Sequence, residues 1–161
     1  MTILVTGARR TVVAMTDAAR SDRGRHVLQR EGHPAGLRRW RMSDAEWHEF
    51  NTHPITRDMA AIAAVMEEAR HDRTTLGREH WPHLDAIVLA IAWAVDGEGS
   101  APLTGQGIVG ARPTWVEIAE EIDAAEDVLY GKREDRRGQG YAVGVEHALM
   151  WLIDDTDETP V

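Results

Sequence analysis

The segment Leu84-Asp85-Ala86-Ile87-Val88-Leu89-Ala90-Ile91-Ala92-Trp93-Ala94-Val95 is the most apolar part of this sequence, and it decides the fold. The consecutive apolar residues from Ala86 to Val95 are too few to cross a bilayer, which takes about 20. We therefore expect a buried core element that is enclosed by protein on all sides. Periodicity does not separate helix from strand in so uniform a run. Its alanines, Pro82 at a first helical position and Asp85 in the first turn favour helix over strand.

Length and composition indicate one folded domain without covalent cross-links. A chain of 161 residues is long enough to build one core. It contains no cysteine, which excludes disulfides, thiolate metal sites and a cysteine nucleophile. The sequence has no leader-like or membrane-spanning run, so we expect a cytoplasmic protein that does not associate with membranes.

The net charge of -9 is unevenly distributed along the chain. Residues 1–41 carry nine arginines and three acidic residues, a net charge of +6, whereas the remaining 120 residues carry nine basic and 24 acidic side chains, a net charge of -15. A basic segment on an acidic body can bind nucleic acid or fold back onto the body. Because an acidic body repels phosphate backbones, the charge pattern favours self-association or simple solvation over nucleic-acid binding.

The basic segment begins with the pattern of a short strand over residues 2–7, and residues 11–20 can form a helix after it. This pair resembles the opening βα unit of a Rossmann-like nucleotide-binding domain. No later strands alternate with helices as such a sheet requires. We therefore expect a basic N-terminal strand or arm over 1–41, with a long loop from residue 20 onward.

Two capping boxes mark the starts of further helices. Ser43 and Thr114 are each followed three residues later by a glutamate, so each hydroxyl and glutamate can satisfy the other residue's backbone amide. The first box predicts a short helix through Phe50. The second predicts a helix over 115–130, which Gly131 can terminate.

Apolar periodicity completes the predicted fold. A stripe at three- and four-residue spacing predicts a helix over 55–71, and an almost continuous apolar run predicts the last helix over 141–153. The sequence thus predicts a mainly α single domain over 42–153, with four to five helices packed around the buried helix 84–95. The acidic residues 154–161 are predicted to form a disordered tail.

The glycine-rich connection 97–113 contains Gly105-Gln106-Gly107-Ile108-Val109-Gly110, which matches the G-x-G-x-x-G dinucleotide pattern letter for letter. That pattern binds a dinucleotide only where it directly follows a strand and opens a helix. Here the preceding apolar run ends too early and the next predicted helix begins too late. A flexible interhelical loop is the preferred interpretation. Its length is nevertheless typical of a binding or lid segment.

The predicted helix 115–130 carries six carboxylates and no lysine or arginine. Helical projection places its apolar residues on one face and most of its carboxylates on the opposite, solvated face. Carboxylates at this spacing repel one another, so a positively charged partner would stabilise the face. We therefore predict a surface for a basic protein partner, with Trp47 as an aromatic anchor beside Glu117, Glu120, Glu121 and Asp127.

The spacing Glu117-x-x-Glu120-x-x-Asp123 resembles the metal-binding helices of the all-α nucleoside triphosphate pyrophosphohydrolases. The resemblance covers one helix, and Glu67 and Glu68 are a loose counterpart of the family's acidic pair on a second helix. It implies a divalent-metal-dependent nucleotide hydrolase. In that alternative, Mg²⁺ or Mn²⁺ would be held by Glu117, Glu120, Glu67 and Glu68.

A short basic loop directly precedes the last predicted helix and contains Arg136, Arg137, Gly138 and Gly140. Arginine side chains and free amides at a helix N-terminus can form an anion site, so this loop is where we expect a small phosphate-bearing ligand. His147 lies on the nearly all-apolar last helix. If it is buried there, it needs a hydrogen-bond partner or acts as a ligand or base.

The sequence contains no Ser-His-Asp grouping, P-loop, zincin helix or EF-hand. We therefore expect a small acidic, non-catalytic binding protein that acts as an inhibitor, mimic or accessory subunit and uses no cofactor. The alternatives are the metal-dependent hydrolase and a phosphate-ligand binder at the 136–140 loop.

Overall fold

The computed structural model describes residues 43–107, 110–154 and 156–161, and the predicted N-terminal strand or arm over 1–41 lies outside them. The described residues form five α-helices and no strand, so the predicted mainly α fold is confirmed. Within this part of the chain, no helix combines the length and the apolar character needed to cross a membrane. The helices are α1 (Asp44–Thr52), α2 (Met59–Thr75), α3 (Trp81–Asp96), α4 (Trp115–Leu129) and α5 (Gln139–Leu152), with a 3₁₀ turn (Arg78–His80) before α3.

Helix α3 is the predicted central helix, and local sequence fixes both its ends. Pro82 lies in its first turn, and Gly97 ends it with a φ of 71°, a left-handed conformation that glycine adopts without steric cost. Helices α5 and α2 pack along two of its sides. The predicted enclosure on all sides is wrong, because Leu89 is 53% exposed. The side of α3 that carries Leu89 and Asp96 is exposed.

Helices α3 and α5 form the most extensive helix contact, and Gly144 allows their close approach. A Cβ atom at position 144 would lie 2.4 Å from the carbonyl oxygen of His83 and 2.8 Å from the Cβ of Ala86. Atoms in ordinary van der Waals contact are at least 3.4 Å apart. A larger residue at this position would therefore force the two helices apart.

Helix α1 packs against the start of α4 through three aromatic rings. The ring centroids of Trp47, Phe50 and Trp115 are 5.9 to 6.0 Å apart, within the range of favourable aromatic pairs. Nearby, the backbone N–H of Val116 donates to the side-chain oxygen of Asn51 at 3.3 Å. Trp115 is almost fully buried, so α1 serves as a cover over the first turn of α4.

The segment between α1 and α2 closes the fold against the carboxyl end of α5. Both the amide and the hydroxyl of Thr56 donate to the carbonyl of Leu152, at 3.0 and 3.1 Å. The guanidinium of Arg57 donates to the carbonyl of Trp151 at 2.8 Å and lies over its ring. These donors satisfy carbonyls that the end of a helix leaves without intrahelical partners.

The C-terminal residues pack on the helices instead of forming the predicted disordered tail. Arg57 donates to the carbonyl of Thr156 at 2.6 Å and forms an ion pair with Asp154 at 3.1 Å. Pro160 is buried, and its carbonyl lies 3.1 Å from Nε2 of His83. The acidic composition of these residues predicted disorder, because composition alone does not show that Arg57, about 100 residues earlier in the chain, neutralises part of their negative charge.

Candidate functional site

The candidate site is the outward side of α4, which we call the acidic stripe and define as Glu117, Glu120, Asp123 and Asp127. All four side chains are partly exposed, and α4 contains no lysine or arginine. Spacings of three and four residues place Glu120, Asp123 and Asp127 along one side of the helix. The stripe therefore carries four carboxylates over nearly three helical turns.

Glu117 has a structural task in addition to its charge. Its Oε2 accepts hydrogen bonds from the amide of Thr114 at 2.8 Å and from the hydroxyl at 3.0 Å. The amide of Glu117 donates to the same hydroxyl at 3.3 Å. These contacts confirm the capping box predicted at this position. A neutral glutamine would keep an acceptor there, whereas alanine would remove it.

At the other end of the stripe, one carboxylate forms an exposed ion pair. Asp127 lies 3.3 Å from Nζ of Lys132, which follows α4 in the chain. Both side chains are well exposed, so this pair contributes little to stability.

At the first turn of α4, the predicted anchor Trp47 is half-buried, with its ring centroid 6.0 Å from that of Trp115.

Glu121 does not belong to the exposed surface, and the prediction that it does is wrong. Its side chain is fully buried. Its carboxylate accepts hydrogen bonds from the backbone amides of Leu103 and Thr104, the latter at 3.2 Å to Oε2. The connection between α3 and α4 folds over this side of α4 and supplies the donors that a buried carboxylate requires. Glu121 therefore holds the connection in place and is unable to meet a partner.

Two arginines also hold this connection, through its backbone carbonyls. Arg133 donates to the carbonyl of Leu103 at 3.0 Å, and Arg137 donates to the carbonyl of Pro102. Backbone amides and carbonyls of residues 102–104 thus have charged side-chain partners. This anchoring contradicts a freely flexible loop over these residues. Gly105 and Gly107, in left-handed conformations, follow no strand, so the dinucleotide pattern lacks its structural context.

Arg137 donates its hydrogen bonds to Asp135 and to the carbonyl of Pro102, so it is not available as the predicted anion ligand. Its guanidinium forms two hydrogen bonds with the Asp135 carboxylate, at 2.7 and 2.9 Å, and lies 4.1 Å from the ring centroid of Tyr141. The hydrogen bond from Arg137 lowers the pKa of Asp135 to about 2. The same hydrogen bond raises the pKa of Arg137. The pair stays fully charged at neutral pH.

A shallow cleft of about 490 Å³ lies beside the loop that leads into α5. Arg136 lines it, is exposed, and forms no hydrogen bond or ion pair with the described residues. The N-terminus of α5 has no side-chain cap, because its N-cap residue is Gly138, with a φ of 82°. Arg136 and the first amides of α5 can therefore face an anion together, although Glu134 and Asp135 also line the cleft.

His147 is exposed and does not line this cleft, so the burial that its apolar neighbours on α5 made possible does not occur. Its ring meets the ring of His83 edge-to-face at a centroid distance of 6.3 Å. The preceding residue, Glu146, is half-buried, and burial raises its pKa. The imidazole of His83 is also half-buried, and desolvation lowers its pKa. The structure does not bring His147 together with Arg136.

The residues of the alternative metal site lie on helices that pack against different neighbours. Glu67 and Glu68 are exposed on α2, which packs on α3, whereas Glu117 and Glu120 lie on α4, which packs on α5 and α1. Across the described ranges, no group of three or more His, Asp or Glu side chains is arranged to hold a metal ion. The described residues therefore do not assemble the Mg²⁺ or Mn²⁺ ligand set of the hydrolase alternative.

Sequence reasoning missed the roles of Arg133 and Asp135. The only local signal was a cluster of opposite charges in the short turn between α4 and α5, at the spacing of an ion pair. The distant carbonyl partners of Arg133 and Arg137, in Leu103 and Pro102, are set by tertiary contact and leave no mark on the local sequence. Comparison with protein-family models, curated proteins and solved structures gave no match to this chain.

Proposed function

We propose that this chain is a non-catalytic binding protein whose acidic stripe contacts a basic surface of a protein partner. The observation that carries the proposal is a 15-residue helix that presents a row of partly exposed carboxylates and contains no basic residue. The residues from 42 to 161 carry 24 acidic and nine basic side chains, so the rest of the body strengthens the same negative potential.

Helix α1 extends this negative surface beside the first turn of α4. Asp44, Glu46 and Glu49 are exposed on α1, which also lacks lysine and arginine. A hydrogen bond from the Ser43 side chain lowers the pKa of Glu46, which keeps that carboxylate charged. Such a surface attracts a basic partner over distances of about one Debye length, about 8 Å at physiological salt, and speeds association.

The test compares two double variants that remove the same number of charges. E120Q/D127N neutralises the acidic stripe, whereas E67Q/E68Q neutralises two exposed carboxylates on α2. The probe is a fluorescent arginine-rich peptide, and its affinity is measured by anisotropy at several salt concentrations. We expect E120Q/D127N to weaken binding about tenfold, the effect of about 1.4 kcal/mol, and E67Q/E68Q to weaken it far less.

Equal losses in the two variants would contradict the proposal, because they would show that net charge and not the stripe determines binding. The same pair of variants then serves in affinity capture from cells that produce the protein. A specific partner is one that wild type and E67Q/E68Q retain and E120Q/D127N loses. Binding should also weaken with added salt.

A second candidate function is the binding of a small phosphate-bearing anion in the cleft beside α5. It is supported by Arg136, which is exposed at an uncapped helix N-terminus and has no partner among the described residues. Thermal melting with inorganic phosphate tests it. At 100 times the dissociation constant, a ligand stabilises by about 2.7 kcal/mol. Wild type should melt higher with phosphate and R136Q should not; an equal response of both proteins would contradict this candidate.

A further inference from the structure

The last residues of the chain form a strap across the helices, which we define as residues 156–161. Arg57 holds the start of the strap, because its guanidinium donates to the carbonyl of Thr156 at 2.6 Å. The end of the strap packs on the fold, since Pro160 is buried and Val161 contacts the hydrophobic core. The three residues between these contacts are exposed. The strap is therefore held mainly at its two ends.

The two ends of the strap are held by groups of different chemistry. At the start, the guanidinium of Arg57 bonds to backbone carbonyls. An arginine stays charged in proteins, and carbonyl oxygens do not titrate. At the end, the carbonyl of Pro160 lies 3.1 Å from Nε2 of His83. Histidine is the side chain whose charge ordinarily changes between about pH 5 and 8. Acid can therefore act on the end of the strap through a group that its start lacks.

The hydrogen bond between His83 and the strap does not require a charged imidazole. A carbonyl oxygen only accepts, so Nε2 carries the proton of the neutral ring and donates it to Pro160. A second proton, on Nδ1, places a charge on a half-buried ring. The carbonyl of Gly140 favours that charge, but Gly140 belongs to α5 and not to the strap. Protonation therefore adds no new bond between the ring and the strap.

Burial and neighbouring histidines both oppose a charge on His83. Desolvation lowers the pKa of the ring, the Pro160 carbonyl raises it by less, and positive charge on His147 or His80 lowers it further. His147 meets the ring edge-to-face from α5, and Glu158 of the strap is exposed to solvent. The other carboxylates of the neighbouring elements interact elsewhere: Asp85 with Arg73, Asp157 with Arg57, Glu79 with His80, and Glu146 with His147.

We propose that His83 is a pH-dependent switch that holds the strap closed at neutral pH and releases its end in mild acid. Opening moves Pro160 and Val161 into water and solvates the imidazole, which then accepts a proton without the cost of burial. It also uncovers the apolar surface that these two residues cover beside the first turn of α3. This switch is independent of the binding function proposed for the acidic stripe.

The direction of the pH dependence follows from the two environments of the ring. In the open strap the imidazole of His83 is solvated, so its pKa is near the ordinary value of 6.5, whereas burial lowers the pKa in the closed strap. The closed form is therefore fully favoured above about pH 6.5 and loses stability as the pH falls below that value. Because one proton is involved, the opening equilibrium constant should rise by at most about tenfold per pH unit.

The experiment is a pH titration of the full ¹⁵N-labelled chain by NMR, from about pH 7.5 to about pH 5. As the pH falls, the amide signals of Glu158, Thr159 and Val161 should move to random-coil positions and lose their heteronuclear NOE. The amide signals of α4 should not. The midpoint of this change should coincide with the midpoint of the His83 ring titration, which is read from the same samples.

Three variants separate the switch from general effects of acid. His83→Gln keeps an N–H donor for the Pro160 carbonyl and cannot become charged, so its strap should stay closed throughout the titration. His147→Gln removes a like charge and should reduce opening in acid. His48→Gln is the matched control: it removes an exposed histidine on α1 and should open as wild type does.

A wild-type strap that stays ordered down to about pH 5, or that becomes more ordered in acid, would overturn the proposal. Opening of His83→Gln at the same pH as wild type would overturn it as well, because another group would then control the strap. The comparison of midpoints within wild type does not depend on any variant. A strap midpoint that differs from the His83 ring midpoint would also refute the switch.

Discussion

Replacing Gly144 with alanine should destabilise the protein, although alanine is the better helix former. The new Cβ would lie 2.4 Å from the carbonyl oxygen of His83, about 1 Å closer than ordinary contact. That carbonyl belongs to the backbone of α3 and cannot rotate away as a flexible side chain can. Helices α3 and α5 must therefore separate by about 1 Å along their most extensive contact.

The magnitude follows from two opposing contributions. Alanine favours the helix by about 1 kcal/mol relative to glycine. Overpacking a close contact costs about 1 to 3 kcal/mol, and the rigid backbone obstacle places this substitution at the upper end. The net loss in the free energy of unfolding is about 2 kcal/mol. For a chain of 161 residues that corresponds to a decrease in Tm of about 4 to 8 °C.

Gly140 provides a matched control within the same helix. A Cβ at this position would meet no atom within 4 Å. Gly140→Ala should therefore leave stability unchanged or raise it by up to about 1 kcal/mol. Urea and thermal unfolding of wild type and the two variants give the comparison. If Gly144→Ala unfolds at the same urea concentration as wild type, the close approach of α3 and α5 is refuted.

Two further predictions concern the charged groups that hold the connection between α3 and α4. Glu121→Ala removes the acceptor of two backbone amides and should cost about 3 kcal/mol, whereas Glu121→Gln keeps one oxygen and should cost about 1 kcal/mol; equal losses in urea unfolding would refute this role. Because the pKa of Asp135 is about 2 in the folded protein against an ordinary 3.8, its contribution is complete above about pH 4 and is lost as the pH falls toward 2. Urea unfolding should show this acid-dependent loss in wild type, and an identical loss in Asp135→Asn would contradict it.

Much of the fold is predictable because local rules act within one element. The uniform apolar run around Ile87 predicts a central helix, and Pro82 and Gly97 set its limits. The capping boxes at Ser43 and Thr114 predict where α1 and α4 begin, and the structure has both boxes complete. Each of these signals involves residues within four positions of one another, where side chains and backbone interact in any tertiary context.

The candidate site is less predictable, because its composition depends on which distant segment covers each helix. Glu121 lies near the boundary between the apolar and acidic sides of α4, and only the position of the α3–α4 connection decides that it is buried. His147 is exposed although nearly all its neighbours on α5 are apolar. In the same way, the acidic C-terminal sequence predicts disorder, and only the tertiary contact with Arg57 shows that these residues pack on the fold. No periodic pattern encodes such contacts.

The closure of the fold by Thr56 and Arg57 also has a consequence for the order of folding. Their hydrogen bonds to Leu152, Trp151 and Thr156 join residues 94 to 99 positions apart. Closing so long a loop in an unfolded chain costs about 4 kcal/mol in entropy. The contact becomes favourable only after the intervening helices have shortened the distance that the chain must bridge. It should therefore form late in refolding, and native-state hydrogen exchange should show it opening before the α3–α5 core.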